Sequence, residues 1–335
     1  LPAYDLTGRG HGEGDRRRRA SEQLRVLVEL QRDYYAETVR YLREDLGSRS
    51  LVVCGNWHTA DPAVLDALER YTYTAGDILD QHGYFGGRHE GEGSSYSVRV
   101  GHTHTDRAAV LEPGALPFVV NEFDGHPHVV SEIGWPSPNR FRAEFPPLMA
   151  VYGALQGVDG FFQFAVNGPS WGAASEKFPF NVPSVLGQSP AAALLVRRGD
   201  VAEAAAWVHL EHVDLESQLD FRGTAGATPA HLDELRTKDV PADVAGAAEP
   251  ADTMDPLAPF VGRVLRKLVE KDGDAMQSAD LAKHIDRKAK RVTSLDGTLR
   301  WDYGRGLVVI DTPRCQGATG FEHGLECLEP LHDLG

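Results

Sequence analysis

Short apolar runs alternate with helix-like patterns over the first 200 residues. Four runs, each ending in polar residues, predict buried strands at 51–57, 77–84, 128–135 and 158–166. Apolar residues at helical spacing predict helices over 15–46, 62–71, 146–155 and 190–197. Because strands with two apolar faces alternate with helices, the pattern is typical of a parallel sheet or barrel. The predicted fold class is therefore α/β.

The pattern changes after residue 200. Residues 204–213 predict one strand, and residues 293–311 predict two strands around the turn-forming segment 302–306. A stretch rich in Pro, Ala and Asp, at 239–259, predicts a linker or a long loop. We therefore expect two domains, an α/β portion over 1–200 and a β-rich accessory region over 201–335.

Polar residues stand at the carboxyl ends of the four predicted strands. They are Asn56, His82, Glu132 and Gln163. In a (β/α)₈ barrel the active site is built at this edge, from the ends of several strands. The sequence therefore predicts that these side chains share one site.

Glu132 is the leading candidate for chemistry. A carboxylate in a strand that is otherwise Val, Val and Ile is costly to place there without a function. Trp135 follows it and offers a ring on which a sugar could stack. The alternative is a glutamate in a salt bridge at a strand end.

Two further pairs end the neighbouring strands. His82 and Tyr84 are two apart on one strand, so both side chains face the same side and could orient a carboxylate. The alternative is that both residues are structural, the histidine hydrogen-bonded within the protein and the tyrosine packed in the core. Asn56 and Trp57 end the first strand in the same way.

Two other groups of residues invite a functional assignment. The pair Asn121 and Glu122 precedes Glu132 by only ten residues and leads into the same strand, whereas paired carboxylates normally come from different strands. We therefore expect it to have a loop or surface role. His89, His102 and His104 in the long loop 86–114 suggest either a metal site or a flap. Because their spacing matches no metal motif, we predict no metal.

Composition limits the classes of function. The 335 residues carry a formal net charge of −15, which disfavours nucleic-acid binding, and no apolar run reaches the roughly 20 residues that a membrane helix needs. Cys54 is predicted to be buried, while Cys315 and Cys327 form either a disulfide or two free thiols. The compartment stays open: secreted or periplasmic for a polysaccharide substrate, otherwise cytoplasmic.

Three short motifs in this order carry a family resemblance. Residues 56–57 (Asn-Trp), 82–84 (His-Gly-Tyr) and 131–135 (Ser-Glu-Ile-Gly-Trp) resemble the cellulase-type clan of retaining (β/α)₈ glycoside hydrolases. The resemblance covers about residues 20–200 and implies strands five to eight, the C-terminal half of a (β/α)₈ TIM-type barrel. Residues 162–164 (Phe-Gln-Phe) depart from the tryptophan that ends strand eight in many members, and Trp171 lies a little downstream.

The resemblance also implies a mechanism. Glu132 would be the nucleophile of a retaining double displacement on an oligo- or polysaccharide, with no metal or organic cofactor. The acid/base glutamate belongs to strand four, which on this alignment would precede Leu1. It would therefore come from a complementary chain or an N-terminal half-barrel. The residues expected to bind substrate are Asn56, Trp57, His82, Tyr84, Trp135, Gln163 and Trp171. The alternative is a catalytically inactive carbohydrate-binding or structural relative.

Overall fold

A computed structural model of the chain describes residues 13–56, 62–87, 89–92, 97–117, 122–173, 175–224, 254–270 and 279–321. The helices, in chain order, are α1 (Gly14–Arg40), α2 (Pro62–Tyr73), α3 (Phe145–Gln156), α4 (Pro183–Leu186), α5 (Ser189–Arg198) and α6 (Leu215–Leu219). A π-helical segment at Tyr41–Asp45 extends α1, and Gly47, in the left-handed region at φ +65°, follows its end. The long helix predicted over 15–46 is confirmed.

The strands divide between parallel and antiparallel sheets. In chain order they are β1 (Leu79–Tyr84), β2 (His89–Glu90), β3 (Thr103–His104), β4 (His128–Gly134), β5 (Gly160–Gln163), β6 (Trp207–Asp214), β7 (Arg263–Val269), β8 (Ile285–Asp286), β9 (Arg291–Thr293), β10 (Leu299–Asp302), β11 (Leu307–Asp311) and β12 (Gln316–Gly320). The 3₁₀ helices are Ala109–Leu111, Pro113–Ala115, Arg142–Glu144, Ala258–Phe260 and Leu281–Lys283.

The first parallel sheet has the order β1-β4-β5, and it will be called the site sheet. The predicted strand at 51–57 joins its β1 side through a single parallel bridge between Val53 and Ile78. Beside this bridge, the Asp77 backbone N–H donates to the Val52 carbonyl oxygen, at 2.9 Å, and the Asp77 carboxylate accepts the Val52 N–H, at 2.7 Å. The helix α2 lies between the Val53 bridge and β1, and α3 lies between β4 and β5. Between β1 and β4 the described residues form instead the β2–β3 hairpin and two 3₁₀ helices. A mixed α/β fold with parallel sheets is confirmed, and the described strands do not close into a barrel.

The helix α3 lies at the centre of the core. Its residues are apolar on every face, and nearly all of them are buried. Gly157, in the left-handed conformation, ends the helix. The chain then enters β5, which pairs with β4, so α3 fixes the spacing of these two strands.

The region after residue 200 contains two sheets. β6 and β7 pair in parallel, and a bridge between Phe123 and Arg266 joins β7 to the segment before β4. The other sheet is antiparallel, with the order β12-β11-β10-β9-β8. Its Trp301 donates from Nε1 to the carbonyl oxygen of Val110, at 2.8 Å, and stacks on Tyr152 of α3. The strands predicted at 204–213 and around 302–306 are confirmed.

One hydrophobic core crosses the predicted domain boundary at residue 200. It includes Val130 and Tyr152 before the boundary and Val208 and Trp301 after it. Residues 239–253 of the predicted linker lie outside the described residues. Residues 254–259 are described, and Ala258 among them is buried in this core. Among the described helices, none combines the length and apolar character that crossing a bilayer requires.

Candidate active site

Glu132 lies near the carboxyl end of β4. A shift in the register between Gln81 and His82 aligns His82 of β1 with Glu132, and Tyr84 with Gly134. His82 and Tyr84 are separated by one residue on the same strand, so their side chains share a face. The register therefore brings both side chains to the Glu132 carboxylate.

Each oxygen of this carboxylate has its own neighbour. The Tyr84 hydroxyl donates a hydrogen bond to Oε1. The Nδ1 atom of His82 lies 3.4 Å from Oε2. The Glu132 side chain remains 25% exposed, and that of His82 is 13% exposed. The arrangement orients a carboxylate while leaving part of it open to a ligand.

Asn56 contacts the residue before Glu132 rather than Glu132 itself. Its Nδ2 atom donates to the Ser131 hydroxyl oxygen, at 3.3 Å. The Ser131 backbone N–H in turn donates to the buried Asp80 carboxylate, at 2.8 Å. Asn56 and Asp80 therefore hold the backbone of β4 next to the nucleophile candidate.

Three aromatic rings, those of Tyr84, Phe164 and Phe178, lie together at the site, and only Tyr84 among them was predicted. The Phe178 ring lies 5.1 Å from the Tyr84 ring and 5.6 Å from the Phe164 ring, measured between centroids. Backbone hydrogen bonds from Ala165 to Phe178, at 2.7 Å, and from Phe180 to Ala165, at 2.9 Å, return the loop after β5 to this position. The peptide bond between Phe164 and Ala165 is cis.

Phe164 and Phe178 were not among the predicted site residues. Phe164 belongs to the segment 162–164, where the family pattern has a tryptophan at the end of strand eight, so the sequence did indicate an aromatic residue near the site there. Phe178 follows β5 by fifteen residues and belongs to no periodic pattern. Its place beside Tyr84 depends on the returning loop, which the sequence does not reveal.

The predicted sugar platforms differ in accessibility. Trp135 is only 2% exposed, because the chain turns it inward after β4 and packs its ring 5.3 Å from Phe85 and 5.0 Å from Phe145. The expected platform role of Trp135 does not fit this burial, and its indole is a core side chain. Trp171 lies on the loop after β5 and is 63% exposed. Trp57 lies outside the described residues.

Gln163 ends β5 in register with Ile133 and is half-buried. It therefore lies one residue along β4 from Glu132, and its role in binding stays a prediction. Trp171 is held by its neighbours: Gly172 N–H donates to the Asn181 carbonyl oxygen, at 3.0 Å, and Asn181 donates from its side chain to the Ser170 carbonyl oxygen. The ring is accessible, and its role as a sugar platform stays a prediction.

Glu122 forms an ion pair away from Glu132. Its Oε1 lies 2.6 Å from the guanidinium of Arg263, and its side chain is mostly buried. Burial raises the pKa of Glu122 to about 7, against the opposing effect of Arg263. Because Glu122 precedes β4, it lies toward the opposite end of that strand from Glu132. Asn121 lies outside the described residues.

Two of the histidines in the loop 86–114, His89 and His102, bind backbone atoms, whereas His104 lies 3.3 Å from the Asp106 carboxylate. Both ring nitrogens of His89 lie close to carbonyl oxygens, those of Gly87 and Ser97, at 3.2 and 3.0 Å. The Nδ1 atom of His102 accepts the Arg99 N–H, at 3.2 Å, which assigns the proton of a neutral ring to Nε2. These contacts brace the β2–β3 hairpin. The described residues contain no group of three or more His, Cys, Asp or Glu suited to a metal ion.

No family model, no curated protein and no solved structure matches this chain. The resemblance to the glycoside hydrolase clan therefore depends on the three motifs alone. Any proposed activity therefore rests on the contacts of Tyr84 and His82 with the Glu132 carboxylate.

Proposed function

We propose that this chain carries the nucleophile half of a retaining glycoside hydrolase, with Glu132 as the nucleophile. The observation that supports this most directly is the pair of contacts at its carboxylate. Tyr84 donates to one oxygen, and His82 Nδ1 lies 3.4 Å from the other. Hydrogen bonds to the charged form of a carboxyl favour that form. The two contacts aim the carboxylate and leave a quarter of its side chain accessible.

In this mechanism an oxygen of Glu132 attacks the anomeric carbon. A bond forms from the carboxylate to that carbon while the bond to the leaving oxygen breaks. A second carboxylic acid gives its proton to the leaving oxygen. In the second step, now a carboxylate, it takes a proton from water, whose oxygen bonds to the anomeric carbon while the bond to Glu132 breaks and restores the Glu132 carboxylate. The partly exposed rings of Phe164 and Phe178, and the exposed Trp171, are available for stacking on the apolar face of a sugar.

The proposal assigns the second carboxylic acid to a complementary structural unit, as the family resemblance implies. The finer fold assignment, the C-terminal half of a (β/α)₈ barrel, belongs to this proposal. Within the described residues, no strand covers either outer side of the site sheet and its Val53 bridge. Exposed apolar side chains lie at both sides, Leu51 and Val53 at one and Phe162 and Val166 at the other. Bare edges of this kind are normally covered.

The outer surface of α1 agrees with such a unit. Leu24 and Val28 pack against α2, but a second set of apolar side chains, Val26, Leu30 and Tyr34, is more than half exposed. These residues are four apart on the helix and so form one exposed apolar stripe, which the proposal assigns to an interaction surface. A half-barrel seated against α1 and both edges would complete the parallel sheet and deliver the acid/base residue.

An activated substrate tests the nucleophile without the second carboxyl. A dinitrophenyl glycoside releases a stable phenolate, so its departure needs no proton from an acid. Incubation with a panel of such glycosides should give a burst of phenolate, and mass spectrometry should find one sugar on the peptide containing Glu132. In the Glu132→Gln variant the burst rate should fall on the order of 10⁴-fold or more.

Glu90→Gln is the matched control, because Glu90 is an exposed glutamate on the β2–β3 hairpin. It should react like the unchanged protein. If the sugar is found on another residue, or if Glu132→Gln reacts at the unchanged rate, Glu132 is not the nucleophile.

The second candidate function is glycan binding without hydrolysis. It is favoured by the same two contacts, because both oxygens of Glu132 already have a polar neighbour, as in a structural carboxylate at a strand end. This candidate predicts that unmodified glycans bind but that no activated glycoside in the panel releases phenolate. The labelling experiment therefore separates the two functions.

A further inference from the structure

A dense basic segment stands out in an acidic chain. The formal net charge is −15, yet residues 283–291 contain five lysines and arginines and one aspartate. The cations are Lys283, Arg287, Lys288, Lys290 and Arg291. Local positive charge in a negative protein creates a field that attracts anionic ligands to one place.

A hairpin presents this segment at the edge of the antiparallel sheet. Ile285 pairs with Val292 and Asp286 with Arg291, and both apolar residues are buried beneath. The Asp286 carboxylate accepts the Ala289 N–H, at 2.8 Å, and so closes the turn. The cations therefore project from an anchored hairpin.

A cavity opens beside this hairpin. Its volume is about 770 Å³, and its charged lining consists of three cations, Lys283, Arg287 and Arg291, and two carboxylates, Asp255 and Asp286, with His284 beside them. Cavities of roughly 300–1,000 Å³ are the usual size for small-molecule sites. Three of its cations thus border a space that would hold several sugar units.

The two arginines keep donors for a ligand. Arg291 uses Nε to bind Asp302, at 2.8 Å, and Arg287 uses one terminal nitrogen to bind Asp255. Both arginine side chains are more than half exposed. A guanidinium has five N–H donors and matches the planar geometry of a carboxylate. Exposed ion pairs of this type are weak, so a ligand anion can compete with or join them.

We propose that this basic cavity, formed around the β8–β9 hairpin, binds a polyanionic glycan through its carboxylate or sulfate groups. The choice of a glycan rests on the proposed function of Glu132. The inference adds the substrate class: a chain of acidic sugars, held at a site on the accessory sheet apart from Glu132. Arg287 and Arg291 bind the oxyanions, and Lys283 adds positive charge.

Nucleic acid fits the same surface less well. Single-stranded nucleic acids are held by aromatic side chains on which the bases stack, and the lining of this cavity contains no aromatic ring apart from the imidazole of His284.

Binding can be measured separately from hydrolysis. The full chain is titrated by calorimetry with polygalacturonate, which carries carboxylates, with dextran sulfate, and with uncharged dextran. We expect binding of at least one of the two charged glycans, none of dextran, and weakening as salt rises. The Arg287→Gln/Arg291→Gln double variant should bind at least about tenfold more weakly.

Arg300→Gln is the matched control. Arg300 lies on β10 of the same sheet, is similarly exposed, and pairs with Asp311 as Arg291 pairs with Asp302, but it does not line the cavity. Its affinity should change less than twofold. Thermal unfolding of each variant checks that it is folded.

The outcomes separate this inference from the proposed function. Preference for polygalacturonate or for dextran sulfate identifies the oxyanion. Equal loss in the double variant and in Arg300→Gln, absence of binding to both glycans, or tighter binding of an oligonucleotide of equal charge would each overturn the proposal. Charged-glycan binding by a chain that fails the Glu132 labelling test would support the cavity and reject the hydrolase.

Discussion

Two groups of charged side chains lie toward opposite ends of β4 and have opposite characters. Near its carboxyl end, Glu132 contacts a hydroxyl and an imidazole and stays partly open. At the other end, Phe123, which precedes β4, forms a bridge with Arg266 of β7. The Arg266 side chain binds Asp66 and Glu211. Almost nothing of this second group, which will be called the sealed cluster, reaches solvent.

The difference shows how burial and charge are combined. Removing an ion from water is costly unless a counter-charge and hydrogen bonds replace the water. In the sealed cluster Arg266 has two carboxylates and the Thr224 hydroxyl, at 3.1 Å, as partners. Such charges are committed to one another. Glu132 keeps an accessible face, which is what a nucleophile needs.

The largest effect is expected from breaking the sealed cluster. Arg266→Ala would remove the arginine that binds both buried carboxylates, Asp66 and Glu211, and leave Asp66 with its second buried arginine, Arg70, at 3.4 Å. This loss should lower the free energy of unfolding by about 3–5 kcal/mol. Urea unfolding followed by tryptophan fluorescence measures this change.

Lys267→Ala is the control from the next position of β7. Lys267 is about half exposed and lies 4.0 Å from Asp124, so its loss should cost less than about 1 kcal/mol. Similar losses in the two variants would mean that the cluster is not a sealed structural unit.

The sequence predicted the two regions unequally. β4 and α3 were located to within about two residues because their apolar patterns are local. Glu132, His82 and Tyr84 were chosen from the residue types and the two-residue spacing on a strand. Their contacts then followed from the parallel register of β1 and β4.

The sealed cluster was not predicted, because it depends on pairing between distant segments. Asp66 and Arg266 are 200 residues apart, and the parallel pairing of β6 with β7 spans a long intervening segment. No local pattern encodes such partners. Packing between distant residues also decides the position of Trp135, which was expected at the site. Its position one residue beyond β4 suggested access, whereas packing against Phe85 and Phe145 decides its burial.

A third carboxyl sharpens the comparison: among the described residues, buried Glu144 forms its hydrogen bonds with backbone N–H groups and has no ion pair with an arginine. Its Oε2 accepts the backbone N–H groups of Ala109, at 2.6 Å, and Val110, at 3.3 Å. Burial outweighs these bonds and raises the pKa of Glu144 to about 7. The folded protein therefore binds this proton more tightly than the unfolded chain does. The contribution of Glu144 to stability is full below about pH 4.5 and is lost as the pH rises through 7.

Glu144→Gln keeps an acceptor for both N–H groups and cannot ionise. Between pH 4.5 and pH 8, its free energy of unfolding should rise relative to the unchanged protein by on the order of 2 kcal/mol. Urea unfolding at several pH values measures this difference, with Glu90→Gln as the exposed control. A constant difference across this range would mean that Glu144 does not gain its proton on burial.

The smallest effect comes from two tyrosine–glutamate pairs, one near each group of charges. Tyr84 donates to Glu132 at the open site. Tyr73 donates to Glu69 on α2, at 3.1 Å. Burial raises the pKa of the Tyr73 hydroxyl far above its usual range. Tyr84→Phe should slow the phenolate burst about tenfold with little change in stability, because the lost bond orients the nucleophile. Tyr73→Phe should lower the free energy of unfolding by about 1 kcal/mol and leave the burst unchanged. Burst kinetics and urea unfolding of both variants test whether the first loses mainly rate and the second mainly stability. If both variants lose only stability, Glu132 is held for the fold, as the residues of the sealed cluster are.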